Sequence, residues 1–197
     1  MTTITLPEGT PASIAEALLA PHDLEEVVVA KHVSWKGQIF ETGQLDVTTP
    51  DGKPGLRDLV WHHGGAGVLA LRDGRMCLVR QWRVALNRLT LEIPAGKIDP
   101  DEDPALCAAR ELAEETGLVA ERLDHIADSA GAPGFTNEMT RIFWAHGLSQ
   151  SPAHPDSDEF VDVCWIAPAD IVEGARVGII QDAKTIIAAY AALLGER

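Results

Sequence analysis

Apolar runs separated by turn residues predict that the first half of the chain is built mostly of strands. The segment EEVVVAKHVSWKGQIFETGQLDVTTPDGK predicts two or three antiparallel strands that end at the turn Asp51–Gly52. LRDLVWHH predicts a further strand, and apolar runs on both sides of Asp73–Gly74 predict a hairpin. RLTLEIPAG predicts a strand that must stop at Pro94, because proline has no N–H to donate to a sheet.

The pattern then changes to that of a helix between Asp103 and Gly117. Asp103 suits the N-cap, Pro104 suits the first turn, and Gly117 suits the position that ends a helix. Three further strands are predicted at ERLDHIADSAGAP, MTRIFWAHGL and EFVDVCWIA. Helices are predicted at PADIVEGA and QDAKTIIAAYAALLGE, and a short one at IAEALLA, whereas residues 1–12 have the pattern of loose chain.

This order of elements, strands then helix then strands then helix, predicts an α/β fold. We expect a mixed sheet sandwiched between helices, preceded by a small N-terminal antiparallel sheet. The GGAG segment marks the boundary near residue 64, so that residues 1–63 form the N-terminal strands and residues 64–197 the larger domain. With 197 residues, of which 46% are hydrophobic, the chain can bury a substantial core.

Charge and cysteine content narrow the class of protein. The net charge is −14 and the pI is about 4.8, which disfavours nucleic acid and anionic membranes as partners. Cys77, Cys107 and Cys164 are odd in number, and without a CxxC pair they indicate a reducing cytosol rather than disulfides or zinc. MTTITLPEGT lacks the pattern of a signal peptide, and IIAAYAALL is too short to span a bilayer. We therefore expect a soluble cytoplasmic protein.

The predicted helix carries a concentrated acidic face. Glu111, Glu114 and Glu115 stand at i, i+3 and i+4 and share one side, and Arg110 can pair with Glu114 one turn later. Small and apolar residues are expected on the opposite, buried side. These are Ala105, Ala108, Ala109, Leu112 and Thr116.

Two interpretations of this face stay open on the residues alone. One is an ordinary solvated surface. The other is a cation site, because a like-charged pair such as Glu111 and Glu115 costs a few tenths of a kcal/mol on an isolated helix. The loop IPAG brings backbone carbonyls into the same region. Carboxylate and carbonyl oxygens are hard ligands that suit Mg²⁺ or Mn²⁺.

The stretch GKIDPDEDPALCAARELAEETGL resembles the signature of the Nudix hydrolase family, G-x5-E-x7-R-E-U-x-E-E-x-G-U with U apolar. Every defined position is filled, in order by Gly96, Glu102, Arg110, Glu111, Leu112, Glu114, Glu115, Gly117 and Leu118. The resemblance extends over the chain from about Gly64 onward. It implies an α/β/α sandwich around a mixed sheet, and hydrolysis of a nucleoside diphosphate linked to another group.

We call this signature, from Gly96 to Leu118, the box. The resemblance also implies roles for its residues. The implied ligands of a divalent cation are Glu111 and Glu115 directly, Glu114 directly or through water, and the carbonyl of Ala95. Arg110 would orient the carboxylates, and Glu102 would hold Arg110 in place.

The flanking segments resemble the ADP-ribose pyrophosphatase branch of the family. VRQWR followed by LEIPAGKID matches its Q-[YF]-R and E-[LIVM]-PAG segments, although Trp82 stands where Tyr or Phe is usual. SAGAPGFTNEMT matches a loop in which Pro133 lies 16 residues past Gly117. The resemblance implies that Arg83 contacts the pyrophosphate or terminal ribose and that Glu138 activates or positions the attacking water. The alternatives are that Arg83 is a surface charge at a strand end and that Glu138 is an exposed loop carboxylate.

The N-terminal segments SWKGQIF and LRDLVWHHGGAGVLAL resemble the same branch. There Phe40 and Arg57 fall where the family contacts adenine, often across a dimer interface, and a place in the core is as plausible for Phe40. Trp35 and Trp61 are alternative stacking or interface residues. His62 and its neighbour at 63 alternate faces on a strand and are assigned no chemistry.

The resulting hypothesis is a homodimeric, Mg²⁺-dependent hydrolase that converts ADP-ribose to AMP and ribose 5-phosphate. A related enzyme acting on another nucleoside diphosphate sugar, such as GDP-mannose, is the first alternative. A non-catalytic module that binds ADP-ribose is the second, and the intact box argues against it. A nucleoside triphosphate hydrolase fits less well, given the N-terminal extension.

Overall fold

A computed structural model of the protein describes residues 10–153 and 160–195. In these two segments it has four helices and twelve strands. The helices are α1 (Pro11–Leu18), α2 (Pro104–Thr116), α3 (Pro168–Arg176) and α4 (Ala183–Gly195). The first six strands are β1 (Val27–Lys36), β2 (Phe40–Thr48), β3 (Pro54–His62), β4 (Gly65–Arg72), β5 (Arg75–Arg83) and β6 (Arg88–Glu92). The other six are β7 (Ala95–Lys97), β8 (Leu118–Val119), β9 (Arg122–Ala130), β10 (Met139–His146), β11 (Ser149–Gln150) and β12 (Asp162–Ile166).

Strands β1, β2 and β3 form the small antiparallel sheet predicted at the N-terminus. β2 ends at Thr48, and the chain turns through Gly52, whose N–H donates to the carbonyl of Thr49 at 2.8 Å. β1 is the edge strand, and nearly all of its side chains are exposed. This sheet therefore buries little apolar surface within one chain.

The larger sheet has the order β12-β5-β4-β10-β9, with β6 added to β5 and β7 added to β4. β10 runs parallel to β4 and the other pairs are antiparallel, so the sheet is mixed as predicted. The predicted hairpin between β4 and β5 turns at Asp73 and Gly74, which have φ of 51° and 70°. β8 and β11 form a separate two-stranded sheet.

Helices cover both faces of the mixed sheet, because the side chains of its central strands alternate between two cores. On one face Ala66 and Val68 of β4 belong to a buried cluster with Leu112 of α2. On the other face Leu69 of β4 belongs to a cluster with Ile171 of α3 and with three alanines of α4, namely Ala188, Ala189 and Ala192. The predicted α/β/α sandwich is confirmed.

The N-terminal segment differs from its prediction. α1 begins at Pro11, inside the stretch 1–12 that was expected to be loose, because Thr10 and Ser13 form a reciprocal capping box. Residues 1–9 lie outside the described residues. Over the two described segments, no helix combines the length and the apolar character needed to cross a lipid bilayer.

Candidate active site

The helix α2 has the ends that its sequence predicts. The Asp103 carboxylate accepts a hydrogen bond from the Ala105 N–H at 2.8 Å and caps the first turn. Gly117 has φ of 69°, a left-handed conformation that favours glycine, and its N–H donates to the carbonyl of Ala113 at 2.9 Å. These two caps fix which residues of the box face the sheet.

The division of α2 into a buried apolar side and an exposed acidic side was wrong in part. Glu111 and Glu115 are only 6% and 5% exposed, whereas Ala109 is exposed. The reason is that β7 and the loop before it cover the acidic side of the helix, so the buried stripe runs through both glutamates. Glu114 remains half-buried beside them.

The two buried carboxylates lie directly against the backbone at the start of β7. The Ala95 N–H donates to Glu115 Oε2 at 2.9 Å. A Cβ placed on Gly96 would lie 1.9 Å from Glu111 Oε1, so only glycine permits this approach. The glycine that opens the box therefore makes room for the Glu111 carboxylate, which brings both carboxylates to the Ala95–Gly96 peptide.

Arg110 is bound by three carboxylates of the box. Its Nε lies 3.0 Å from Glu102 Oε1, and one terminal nitrogen lies 2.7 Å from Glu111 Oε1 and 3.0 Å from Glu114 Oε2. The hydrogen bond to Glu102 and those to the other carboxylates raise the pKa of Arg110, and the Arg110 guanidinium lowers the pKa of Glu102 to about 2. The side chains of Glu111 and Glu114 are thereby held on one side of the helix.

The donor set fits a hard divalent cation. Glu111, Glu114, Glu115 and the carbonyl of Ala95 supply oxygen only, which is the preference of Mg²⁺ and Mn²⁺. Among the described residues, no three His, Cys, Asp or Glu side chains are already arranged around a single point as a closed metal site. Mg²⁺ does not need such a cage, because it keeps several waters and takes further ligands from substrate phosphates.

Arg83 is held by a buried glutamate that sequence analysis left without a role. Its Nε and one terminal nitrogen donate to the two oxygens of Glu92 at 2.7 and 2.8 Å. Glu92 is 4% exposed and also binds Lys184, and Thr90 donates to it at 2.7 Å. This cluster borders a cleft of about 430 Å³ between the β5–β6 hairpin and the start of α4. A glutamate inside the apolar strand RLTLEIPAG was the signal available in the sequence.

The start of α4 is hydrogen-bonded to the residue that follows Glu92 at the end of β6. Asp182 accepts from the N–H of Thr185 at 3.0 Å and binds Lys184 at 2.8 Å. The Thr185 hydroxyl, which is fully buried, accepts from the Ile93 N–H at 2.8 Å. Because Ile93 lies two residues before Ala95, α4 fixes the strand that leads into the carboxylate cluster. Nothing local in the sequence signals this contact, which joins residues 92 positions apart.

Glu138 lies at the end of the loop 131–138, immediately before β10. Its Oε1 is 3.9 Å from Nδ1 of His62, a histidine that had been assigned no chemistry. Pro133 is exposed on the same loop. The structure thus places Glu138 beside the end of β3.

Phe40 and Arg57 do not meet within one chain. Phe40 pairs with His62 in the register of β2 and β3, whereas Arg57 pairs with Leu45, five residues farther along β2. Phe40 packs against Trp35 with ring centroids 5.3 Å apart. Arg57 forms a double hydrogen bond with Glu26, which raises the pKa of Arg57. Within one chain the two side chains therefore lie at different positions along the sheet.

Comparisons with known proteins identify the family and the fold of the chain. The model of the NUDIX domain family matches residues 61–189, which is more than half of the chain. The protein therefore belongs to the NUDIX domain family. A solved structure described as an ADP compounds hydrolase has the same fold, with a TM-score of 0.74 and 19% identity over 87% of this chain and 93% of that chain.

Curated relatives in bacteria carry several names. ADP-ribose pyrophosphatase of Bacillus subtilis (strain 168) is 38% identical over 84% of this chain and 91% of its own length. Methanol dehydrogenase activator of Bacillus methanolicus is 34% identical over 83% and 90%. GDP-mannose pyrophosphatase of Cronobacter sakazakii (strain ATCC BAA-894) is 30% identical over 82% and 91%.

Proposed function

We propose that this protein hydrolyses the pyrophosphate bond of ADP-ribose to AMP and ribose 5-phosphate, with Mg²⁺ as its cofactor. The observation that carries the proposal is the pair of buried carboxylates, Glu111 and Glu115, held against the Ala95–Gly96 peptide. Carboxylate oxygens are the ligands that Mg²⁺ prefers, and these two lie on neighbouring turns of one helix face next to the backbone of β7. A divalent cation bound there would take its remaining ligands from water and from the substrate pyrophosphate.

A bound divalent cation neutralises the pyrophosphate, polarises the phosphoryl oxygen and lowers the pKa of a bound water. The carboxylates of Glu111 and Glu115 would hold it, with the Ala95 carbonyl and Glu114 completing the protein ligands. Arg110 keeps the carboxylates in place through its bonds to Glu102 on one side and to the ligand carboxylates on the other.

Two further side chains act on the substrate in this proposal. Arg83 uses two nitrogens on Glu92, which leaves its other terminal nitrogen to donate to a phosphate oxygen. Glu138 lies on a loop outside the carboxylate cluster and is about half exposed, so it can accept the proton of the attacking water. Pro133 shapes that loop near the substrate.

The choice of ADP-ribose rests on the flanking segments and on the Bacillus subtilis relative. The GDP-mannose pyrophosphatase of Cronobacter sakazakii, also similar over most of its length, supports GDP-mannose as the second candidate. A module that only binds ADP-ribose is disfavoured, because all four box glutamates are present and three of them, Glu102, Glu111 and Glu114, bind Arg110.

The N-terminal part, residues 1–63, completes the proposal as a dimerisation and nucleoside-contact unit attached to the hydrolase domain, residues 64–197. Phe40 and Arg57 would reach one nucleoside from two subunits of a homodimer. We place the protein in the cytoplasm, which is supported by its three free cysteines.

A product assay tests the substrate. The protein is incubated with ADP-ribose, GDP-mannose and dGTP, with and without Mg²⁺, and the released nucleotides are identified by chromatography. We expect AMP from ADP-ribose only when Mg²⁺ is present. GMP from GDP-mannose with no AMP from ADP-ribose would establish the second candidate instead.

A further inference from the structure

The loop that carries Glu138 is fastened to the N-terminal sheet by three hydrogen bonds. The Val60 N–H donates to the Phe135 carbonyl at 2.8 Å, and the Asn137 N–H donates to the Val60 carbonyl at 3.4 Å. The His62 N–H donates to the side-chain oxygen of Asn137 at 2.8 Å. We call this set of contacts between residues 60–62 and 135–137 the β3 clasp. Within the β3 clasp, Thr136 forms an isolated parallel β-bridge with Val60.

Packing contributes little to the position of this loop. Added Cβ atoms on Gly131 and Gly134 would meet nothing within 4 Å, and Phe135 is 54% exposed. A groove of about 510 Å³ lies beside Phe135, against β2 and β3. At these three residues packing adds little, and the hydrogen bonds of the β3 clasp are the contacts that join the loop to β3.

The ring of His62 also makes contacts at the end of β3. Its Nδ1 accepts a hydrogen bond from the Gly64 N–H at 2.8 Å, and because a backbone N–H can only donate, Nδ1 must carry the lone pair. In this arrangement Nδ1 has no proton to donate to Glu138, whose Oε1 is 3.9 Å away, beyond hydrogen-bond distance.

We propose that Asn137 is a positioning residue that, by accepting from the His62 N–H, holds the loop that carries Glu138 beside β3 and so keeps the Glu138 carboxylate where it can act on the attacking water. The inference rests on the proposed role of Glu138 and adds to it a task for the N-terminal sheet. β3 sets the position of the base in addition to forming the small sheet. Asn137 itself touches no reacting atom in this account.

The test compares Asn137→Ala with Asn137→Asp in full-length protein. Alanine removes the oxygen that accepts from the His62 N–H, whereas aspartate keeps an oxygen at the same place. We expect kcat for ADP-ribose to fall about 10- to 100-fold in Asn137→Ala, since small misplacements of a catalytic group have effects of this size. KM, Mg²⁺ dependence and melting temperature should change little. Asn137→Asp, which keeps the acceptor oxygen, should retain most of kcat.

Hydrogen exchange gives a readout that does not depend on activity. The amides of Val60, His62 and Asn137 should exchange faster in Asn137→Ala than in the wild type, and not in Asn137→Asp. Faster exchange with an unchanged kcat, or a reduced kcat with unchanged exchange, would overturn the positioning role. A Glu138→Gln variant with the wild-type rate would instead remove the proposed base, and the exchange result would still report on the β3 clasp.

Discussion

At the scale of single residues, Glu92 shows how a buried carboxylate is kept charged. Burial alone would raise its pKa, but the hydrogen bond from Arg83 and the charge of Lys184 outweigh burial and hold the pKa at about 2. A carboxylate with a folded pKa below its unfolded value of about 4.3 stabilises the fold above that value and loses this contribution as the pH falls towards 2. The contribution of Glu92 is of the order of 3 kcal/mol at neutral pH.

The first prediction follows from this pKa. Replacing Glu92 with Gln should destabilise the protein at pH 7, because the Arg83 and Lys184 charges lose their partner. The difference in unfolding free energy between wild type and variant should narrow between pH 5 and pH 3, as the wild type loses its own contribution. Urea unfolding at each pH measures it. Glu173→Gln, at an exposed ion pair with Arg176, is the control and should show a small difference throughout. A difference in unfolding free energy between wild type and Glu92→Gln that does not change with pH would contradict the assignment of a charged Glu92.

Glu115 carries the second prediction. Glu115→Gln keeps an oxygen for the Ala95 N–H but removes the negative charge that a divalent cation requires. We expect kcat to fall by at least about 100-fold, a loss of roughly 3 kcal/mol of transition-state stabilisation. The rise in melting temperature that Mg²⁺ produces in the wild type should shrink in the variant. The Glu173→Gln control should respond to Mg²⁺ as the wild type does, and an unaltered response in Glu115→Gln would remove Glu115 from the ligand set.

At the scale of elements, α4 is predicted to support the strand that enters the active site. Thr185→Val keeps the shape of the side chain but leaves the buried Ile93 N–H without its acceptor. Such a loss costs about 1–3 kcal/mol, which urea unfolding can measure. Thr185→Ser retains the hydroxyl and should stay within about 1 kcal/mol of the wild type, apart from the lost methyl group. Equal stability of the two variants would show that the hydroxyl is not needed.

The elements that could be predicted from the sequence are those with local signals. The Asp73–Gly74 hairpin, the Asp103 cap and the Gly117 end of α2 are each specified by a residue suited to one backbone conformation. The buried positions of Glu111 and Glu115 could not be predicted in this way. They depend on β7, which covers the acidic side of α2 only in the folded sheet, so a helical projection alone left both glutamates on the exposed side.

The candidate site shows the same division between local and distant information. The box lies in one stretch of the sequence, from Gly96 to Leu118. The contact of Arg110 with Glu114 follows from their helical spacing, and the contact with Glu102 was implied by the family resemblance. Glu92 lies in the segment LEIPAGKID, but the sequence predicts no role for it, because its partner Lys184 comes from α4 near the other end of the chain. The contact between Asn137 and His62 likewise could not be predicted from the sequence, since it joins residues 75 positions apart.

At the scale of the whole molecule, the N-terminal sheet raises the question of what covers β1. Its side chains are exposed on both faces, with Val27, Val29 and Trp35 all at least half exposed. A three-stranded sheet without a covered apolar face has little independent stability. In the proposed homodimer a second copy of the chain would cover these residues, and Phe40 and Arg57, which one chain keeps apart, would come from different subunits.

The last prediction concerns this homodimer. Val29→Asp places a charge in the apolar surface of β1, and we expect the molar mass from light scattering to fall from that of a dimer to that of a monomer. Leu106→Asp changes an equally exposed apolar residue on α2, far from β1 in the chain, and should leave the dimer intact. If the nucleoside is held between subunits, the Val29→Asp variant should have a higher KM for ADP-ribose as its dimer dissociates. The rise in melting temperature that Mg²⁺ produces should be the same as in the wild type. A wild-type protein that is monomeric at micromolar concentration would exclude the shared nucleoside site, because Phe40 and Arg57 could then never meet on one substrate.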